Sequence, residues 1–334
     1  MNPKKILIIN TGGTISSIKT ERGYEPIGDY VETAMANLPL LRHSDLPSYT
    51  IHELKPLIDS SNMDLKDWNH IANCIADNAE NYDGFVIFHG TDTMAYTACA
   101  LSFMLEHLNT PVILTGSQIP LSAVRSDAVD NIVTSLWLCA HQPIHEVCIY
   151  FAQRLLRGNR ARKISAQEFM AFDSPNYPAL ADIGVNITVH THLLLPPTLQ
   201  PFHLQCLKPS AITNFRLFPG MSLSTFHHLL QQPLQALILE TFGAGNAPNH
   251  NPDFLDSMKQ ATDNGLIIIN CSQCPHGHVE MDRYATGSSL SQAGLLSGYD
   301  MTPEAIHCKL LYLFSKFDDV KVIKQHFIHK QCGE

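Results

Sequence analysis

Thr11-Gly12-Gly13-Thr14-Ile15 follows Lys4-Lys5-Ile6-Leu7-Ile8-Ile9-Asn10, an apolar run of strand length. A buried strand is therefore expected to empty straight into a double-glycine turn. Glycines there let the backbone take φ > 0 or approach a ligand closely, and the Thr14 hydroxyl is presented at the carboxyl end of a strand, where open α/β sheets bind ligands. Taken alone, a Gly-Gly turn is ordinary turn chemistry. This one is no phosphate cradle of known type, since it lacks Gly-x-Gly-x-x-Gly and no Lys-Ser or Lys-Thr follows. Its weight comes from company farther along the chain.

Gly84-Phe85-Val86-Ile87-Phe88 is a continuous apolar run, the mark of a strand covered on both faces, and it ends in His89-Gly90-Thr91-Asp92-Thr93 before a helix expected over Met94–His107. Again a buried strand delivers glycine and a hydroxyl to its carboxyl end, this time with a carboxylate; the competing role for Asp92 is a helix cap. Pro111–Thr115 is the next strand, followed by Gly116-Ser117-Gln118, then a helix over Asn131–Ala140 and a strand over Glu146–Phe151. This alternation predicts an α/β fold with a doubly wound parallel sheet.

Between these elements lie three informative segments. Ser16–Asp29 is polar, carries Gly23, Tyr24 and Gly28, and reads as a mobile flap joined to the Thr14 turn. Tyr49–Leu54 alternates as a strand, after which Asp59-Ser60-Ser61-Asn62 precedes Leu65, Trp68, Ile71, Ala72, Ile75, Ala76 and Ala79, spaced for one face of a helix. Ser61 or Asn62 is the expected N-cap, and a helix N-terminus with free amides and hydroxyls is also where a carboxylate is held. Arg154, Arg157, Arg160, Arg162 and Lys163 form the one basic cluster, which reads as a solvated loop. A Lys in reach of Thr91 would differ, because a desolvated amine beside another cation can act as a base.

From Thr191 to Pro209 the chain turns proline-rich and loses periodicity, so residues 191–210 are expected to link a domain over 1–190 to a smaller α/β domain over 211–334. Strands are expected there at Ala211–Phe215, Gln235–Leu239 and Leu266–Cys271, with helices near Ser222–Gln231 and Asn251–Asp263. Thr302 should cap a later helix and Asp318 or Asp319 the last, with the final residues, including Cys332, loose. Phe242-Gly243-Ala244-Gly245-Asn246-Ala247-Pro248 repeats the strand-then-glycine design. Cys271, Cys274, His276 and His278 have zinc-ligand chemistry, but structural zinc sites draw their ligand pairs from separated knuckles, which argues against a metal here.

Composition excludes several classes. The 334 residues carry 22 basic and 31 acidic side chains for a net charge of −9, without a run of Lys or Arg, so nucleic acid is not the expected partner. Nine cysteines without a disulfide-like pattern, and an N-terminal apolar run too short for a signal peptide, point to a reducing cytoplasm. No apolar stretch is long enough to span a bilayer.

Together, Thr11-Gly12-Gly13-Thr14-Ile15, Asp59-Ser60-Ser61 and His89-Gly90-Thr91-Asp92-Thr93-Met94 resemble the signatures of the L-asparaginase family. Thr115-Gly116-Ser117-Gln118, Arg157-Gly158-Asn159-Arg160 with Lys163 behind it, Gly243-Ala244-Gly245-Asn246-Ala247-Pro248 and Tyr284-Ala285-Thr286-Gly287 extend the likeness over nearly the whole chain, nearest to the bacterial cytoplasmic type I branch. The resemblance implies a large N-terminal and a smaller C-terminal α/β domain, a homotetramer built as a dimer of dimers, and no cofactor. It implies Thr14 as the nucleophile on the side-chain amide of L-asparagine with Tyr24 closing over it. Thr91, Asp92 and Lys163 would be a second catalytic group, Asp92 also pairing with the substrate ammonium. Ser60 and Ser61 would hold the α-carboxylate, Asp59 would belong to the same substrate-binding turn, Ser117 and Gln118 would line the pocket, and Asn246 would enter a neighbouring subunit's site. Which threonine is acylated, and whether Tyr24 or Lys163 takes the first proton, stays open.

A broader glutaminase/asparaginase and a non-catalytic amino-acid sensor are the alternatives, since one methylene is worth only ~1–3 kcal/mol of discrimination. Regulated cytoplasmic members carry a small hydroxyl residue before the catalytic Lys and an Arg before the aromatic-Gly-x-Gly-Asn segment, the Arg receiving an effector carboxylate. Arg162 before Lys163 and Glu240 upstream of Phe242 reverse those charges, so hyperbolic kinetics are expected.

Overall fold

A computed structural model describes residues 4–21, 23–281 and 285–334. Two compact units, Met1–Cys206 and Leu207–Glu334, divide the chain. The first opens with β1 (Lys5–Gly12), a hairpin of β2 (Ser17–Thr20) and β3 (Gly23–Pro26), α1 (Tyr30–Ala36), β4 (Ser48–Ile58), α2 (Leu65–Asn78), β5 (Gly84–Phe88) and α3 (Met94–Met104). It continues through β6 (Leu105–Glu106), β7 (Val112–Thr115), α4 (Ala128–His141), β8 (Val147–Phe151), β9 (Arg154–Arg157), β10 (Arg162–Lys163), β11 (Phe172–Asp173), β12 (Ala181–Ile183), β13 (Ile187–Val189) and β14 (His203–Leu204).

The main sheet runs β13-β12-β9-β8-β7-β5-β1-β4. Its strands β4, β1, β5, β7 and β8 are parallel, but β9, β12 and β13 join antiparallel. The expected parallel sheet is thus present in these five strands, and the three antiparallel strands at one edge make the whole sheet mixed. The cause is local: β8 and β9 are separated only by Ala152 and Gln153, at φ 45 and 71, a two-residue reversal that cannot make a parallel crossover.

Ile6, Ile8, Val86, Phe88, Ile113, Cys148 and Tyr150 pack with Ala128, Ile132, Leu136 and Cys139 of α4. The alternate residues Leu7, Ile9, Phe85, Ile87, Val112 and Leu114 are buried too, and the pleat sends them to the opposite face. There α3 packs on β7 and β8, with α2 against it. Covering on both faces is why these strands read as unbroken apolar runs.

Two local expectations are corrected. The cap of α2 is Asp64, in a reciprocal box with Asp67; Ser61 is already engaged, because Asp59 accepts from its backbone N–H at 3.0 Å and its hydroxyl at 3.0 Å, closing a separate 3-10 turn over Ser60–Asn62. The basic cluster is not a solvated loop. Arg157 is buried, with Nε 2.6 Å from Glu146 Oε2, Nη2 donating to Leu193 O at 2.7 Å and its guanidinium 4.4 Å from the Tyr177 ring centre. Glu146 Oε1 in turn accepts from Leu195 N at 2.8 Å.

In the second unit β15 (Ile212–Arg216), α5 (Leu223–Leu230), β16 (Ala236–Thr241), α6 (Pro252–Asp263), β17 (Ile267–Ser272), α7 (Ala285–Gln292), β18 (Leu296–Ser297), α8 (Pro303–Lys316) and α9 (Val320–Phe327) follow in order. Its four strands form a parallel sheet in the order β15-β16-β17-β18, over a core that includes Leu237, Leu239, Phe226, Phe254 and Met258. Thr302 and Asp319 cap α8 and α9 as expected. The expectation of loose final residues fails: Glu334 is buried, its carboxylate 2.5 Å from Lys309 Nζ and accepting from the backbone of Gln331 and Cys332. A buried ammonium needs such a partner, and the last turn folds back to supply it.

Candidate active site

The carboxyl ends of β1 and β5 meet the Ser60–Asn62 turn. Asn10, the polar end of the first apolar run, accepts from Gly12 N at 3.1 Å and Ser16 Oγ at 2.7 Å, while its amide reaches Glu53 at 3.3 Å. Gly13 has φ 79, and a β-carbon there would lie 2.3 Å from Gly90 Cα. One on Gly90 would lie 2.5 Å from Ser60 Oγ. Glycine at 13 and 90 thus lets three backbone segments close on one another.

Thr14, partly buried, follows at the start of a 3-10 turn over Thr14–Ser16. Its hydroxyl makes no hydrogen bond among the described residues. The segment expected as a flap contains the β2–β3 hairpin, in which Tyr24 stands opposite Lys19 and is 54% exposed.

A second cluster is joined by direct bonds. Lys163 Nζ lies 2.8 Å from Thr91 Oγ1 and 2.7 Å from Asp92 Oδ1. Thr91 is 7% exposed, whereas the Asp92 side chain is 61% exposed, leaving that carboxylate open to a cationic ligand. Asp92 does not cap α3; Thr93 holds that position and instead donates its hydroxyl to Ser60 O at 2.7 Å. Thr91 Oγ1 also faces Gln118 Oε1 at 3.4 Å, and Gln118 Nε2 donates to Glu168 O at 2.9 Å. Gln118 therefore bridges Thr91 to the loop after Lys163. Ser117 is fully buried and its hydroxyl has no partner among the described residues.

Of the expected site residues, Thr91, Asp92, Lys163 and Gln118 are thus brought into one bonded group. Thr14 is tied to it through Gly13 and Gly90, and Ser60 through Thr93 and Gly90, while Asp59 and Ser61 bond to each other. Tyr24 has no hydrogen bond to any of them among the described residues. Asn246 belongs to the second unit, where its backbone pairs with Phe242 in both directions and Asn270 holds the neighbouring Gly245 O at 3.0 Å. Glu240 there accepts from Asn214 at 2.9 Å and pairs with Arg216 at 3.4 Å. Tyr284 lies outside the described residues.

No three His, Cys, Asp or Glu side chains converge to hold a metal among the described residues. Cys271 is buried and Cys274 exposed, and His278 sits 2.8 Å from Glu280. None of the nine cysteines is in a disulfide.

Sequence reasoning passed over Asn10, whose signal was a polar residue closing an apolar strand, and Asp127, whose carboxylate accepts from the backbone of Gln118 and Ile119. His89 stands inside the His89–Met94 motif, where the sequence assigns it no role of its own. His89 is fully buried, and burial lowers its pKa from 6.5 to about 4.

The family model described as "Asparaginase, N-terminal" matches residues 5–195, and that described as "Glutaminase/Asparaginase C-terminal domain" matches residues 212–327. L-asparaginase 1 of Escherichia coli (strain K12) is 44% identical over 337 residues, covering 100% of this chain and 98% of that protein. The crystal structure of L-asparaginase I from Vibrio cholerae O1 biovar eltor str. N16961 is similar with a TM-score of 0.93 at 45% identity, over 99% of each chain. The thermostable L-asparaginase from Thermococcus kodakarensis gives 0.88 at 30% identity, covering 99% of this chain and 98% of that one.

Proposed function

Because the chain belongs to the asparaginase family, we propose that it is an amidohydrolase converting L-asparagine and water to L-aspartate and ammonia. The observation that carries this reading is the Lys163–Thr91–Asp92 cluster, with Nζ 2.8 and 2.7 Å from its two partners, beside the turn that presents Thr14. An amide is a poor electrophile and a hydroxyl a poor nucleophile, so the reaction needs a base, oxyanion donors and a clamp on the charged ends of the amino acid.

In this reading Thr14 Oγ attacks the side-chain carbonyl carbon, its proton passes by way of Tyr24 or Lys163 to the leaving nitrogen, and the C–N bond breaks to release ammonia. Water then attacks the acyl ester, regenerating Thr14 and freeing aspartate. The place of Thr14 on the glycine turn that abuts the Thr91 turn supports the nucleophile assignment. Tyr24, on the exposed hairpin, closes over the substrate. Lys163 polarises Thr91. Asp92, open to solvent, takes the α-ammonium; Ser60 and Ser61 take the α-carboxylate, with Asp59 holding Ser61 in place, and Ser117 and Gln118 line the pocket. The chemistry needs no cofactor.

We further infer a cytoplasmic homotetramer, a dimer of dimers in which Asn246 completes a neighbour's site. Among the described residues no helix is long and apolar enough to cross a membrane. Ammonia release measured with L-asparagine and with L-glutamine tests the reading. Turnover of asparagine well above glutamine supports it, comparable turnover moves it to a broad glutaminase/asparaginase, and none with either leaves an amino-acid sensor.

A further inference from the structure

His89 sits between β5 and the Thr91 turn with every ring atom buried and both nitrogens occupied. Its Nδ1 is 2.7 Å from Gly90 O. A carbonyl only accepts, so Nδ1 carries the proton. Its Nε2 is 2.8 Å from Thr97 Oγ1, and that same oxygen accepts from Trp68 Nε1 at 3.0 Å. A neutral imidazole protonated on Nδ1 leaves Nε2 an acceptor, so the Thr97 hydroxyl gives its hydrogen to Nε2 and takes the indole N–H on a lone pair. Trp68, Thr97 and His89 therefore form a one-way chain of donors ending on the Gly90 carbonyl.

What that carbonyl belongs to matters. The Gly90 backbone is where a β-carbon from Gly13 would collide at 2.3 Å, and where Ser60 approaches to 2.5 Å from a β-carbon on Gly90. The His89 carbonyl would lie 2.4 Å from a β-carbon on Gly116, and His89 N donates to Thr115 O at 2.9 Å. The His89-Gly90 dipeptide is thus the common seat of the turns after β1, β5 and β7, and Thr91 and Asp92 follow it directly.

We propose that His89 is a positioning residue, a neutral imidazole protonated on Nδ1 that fixes the Gly90–Thr91 peptide and through it the Thr91 and Asp92 side chains during turnover. The imidazole touches no substrate; it acts through the carbonyl it holds. Its lowered pKa keeps it neutral at neutral pH, which the acceptor role of Nε2 requires. The proposal rests on the asparaginase reading, and its test separates the two.

Asn at 89 can still present an N–H where Nδ1 stood, whereas Gln, closer in size to His, reaches toward Thr97 and leaves Gly90 O without its donor. A site in which His89 merely fills space would favour Gln over Asn. We expect His89→Gln to lower kcat for asparagine by at least about tenfold with KM within about threefold, and His89→Asn to recover most of the loss, as misplacement without lost contacts predicts. Thr97→Val, which frees the far edge of the ring, should lower kcat in the same direction, with Thr97→Ser restoring it; this pair carries the test if the His89 variants do not fold. Nitrogen-15 shifts of the His89 ring in the wild-type protein should report the neutral Nδ1–H form at pH 7. A wild type that releases no ammonia defeats the asparaginase reading alone. An active wild type with the Nε2–H form, or with His89→Gln faster than His89→Asn, overturns the positioning role.

Discussion

A β-carbon added to Gly13 would stand 2.3 Å from Gly90 Cα, so the turn bearing Thr14 and the turn bearing Thr91 touch backbone to backbone. Neither side of that contact is a flexible side chain that could give way, and Gly13 also holds φ 79. Gly13→Ala should therefore cost at least ~2 kcal/mol, from backbone strain and the clash together. It should also lower kcat about a hundredfold by prising the turns apart. Thermal melting and steady-state rates check this; a variant with wild-type Tm and kcat would show that the contact is not needed.

Arg157 and Glu146 side chains are 4% and 3% exposed, with Nε and Oε2 2.6 Å apart. Arg157→Met leaves Glu146 buried without its cation, which should destabilise the protein by ~3–5 kcal/mol. Because the pair also holds Leu193 O and Leu195 N, the variant should be cut faster by protease near these residues. Urea unfolding and mapped limited proteolysis test the two effects; an unchanged unfolding midpoint would place the pair among those that contribute nothing net.

The buried His89 gives acid sensitivity a definite window. Above pH ~6.5 the imidazole is neutral in both folded and unfolded chains and adds nothing. As pH falls from 6.5 toward about 4, the unfolded chain takes up a proton that the folded one refuses, so stability drops by on the order of 3 kcal/mol and then levels. Burial lowers His307 in the same direction. Burial alone would raise the Glu334 carboxyl, yet Lys309 and the Gln331 and Cys332 amides hold it below 4.5. That contribution is present above pH ~4.5 and is lost as pH falls below that through the folded value. Unfolding free energies at pH 7.5, 5.5 and 4.5 should fall less steeply in His89→Asn than in the wild type; parallel curves would contradict the assignment.

Glu240 is held by Arg216 and Asn214, which keeps a carboxylate where regulated relatives are expected to carry an effector-binding Arg. An incoming carboxylate would be repelled. The rate against asparagine concentration should be hyperbolic. A Hill coefficient clearly above ~1.5 would reveal an activating second site.

Much of this was legible in the amino-acid order because burial on both sheet faces writes itself as unbroken apolar runs: Ile6–Ile9 and Phe85–Phe88 could hardly be other elements. The turns after them were legible as glycine next to hydroxyl. What the order hid depends on partners distant in sequence. Arg157 reads as a loop cation until Glu146, eleven residues earlier in the chain, is placed against it across the β8–β9 reversal. Ser61 and Asn62 read as caps on paper; Asp59 takes Ser61 into its own turn, and Asp64 caps the helix instead. Glu334 reads as a frayed end because its partner, Lys309, lies in the middle of α8, twenty-five residues earlier in the chain. His89 was hidden by type, since a histidine inside a motif draws no notice until Trp68 and Thr97 from two helices are seen behind it.

In the proposed reaction Thr14 attacks the side-chain amide of asparagine at the carboxyl end of β1. The most direct test compares ammonia and aspartate release from L-asparagine by the wild type and by Thr14→Ala, with circular dichroism and melting showing that both are folded. The side chain at 14 carries no hydrogen bond among the described residues, so its removal should leave Tm within a few degrees while kcat falls to below ~1%. A folded Thr14→Ala protein that keeps more than a few per cent of the wild-type kcat would show that Thr14 is not the nucleophile.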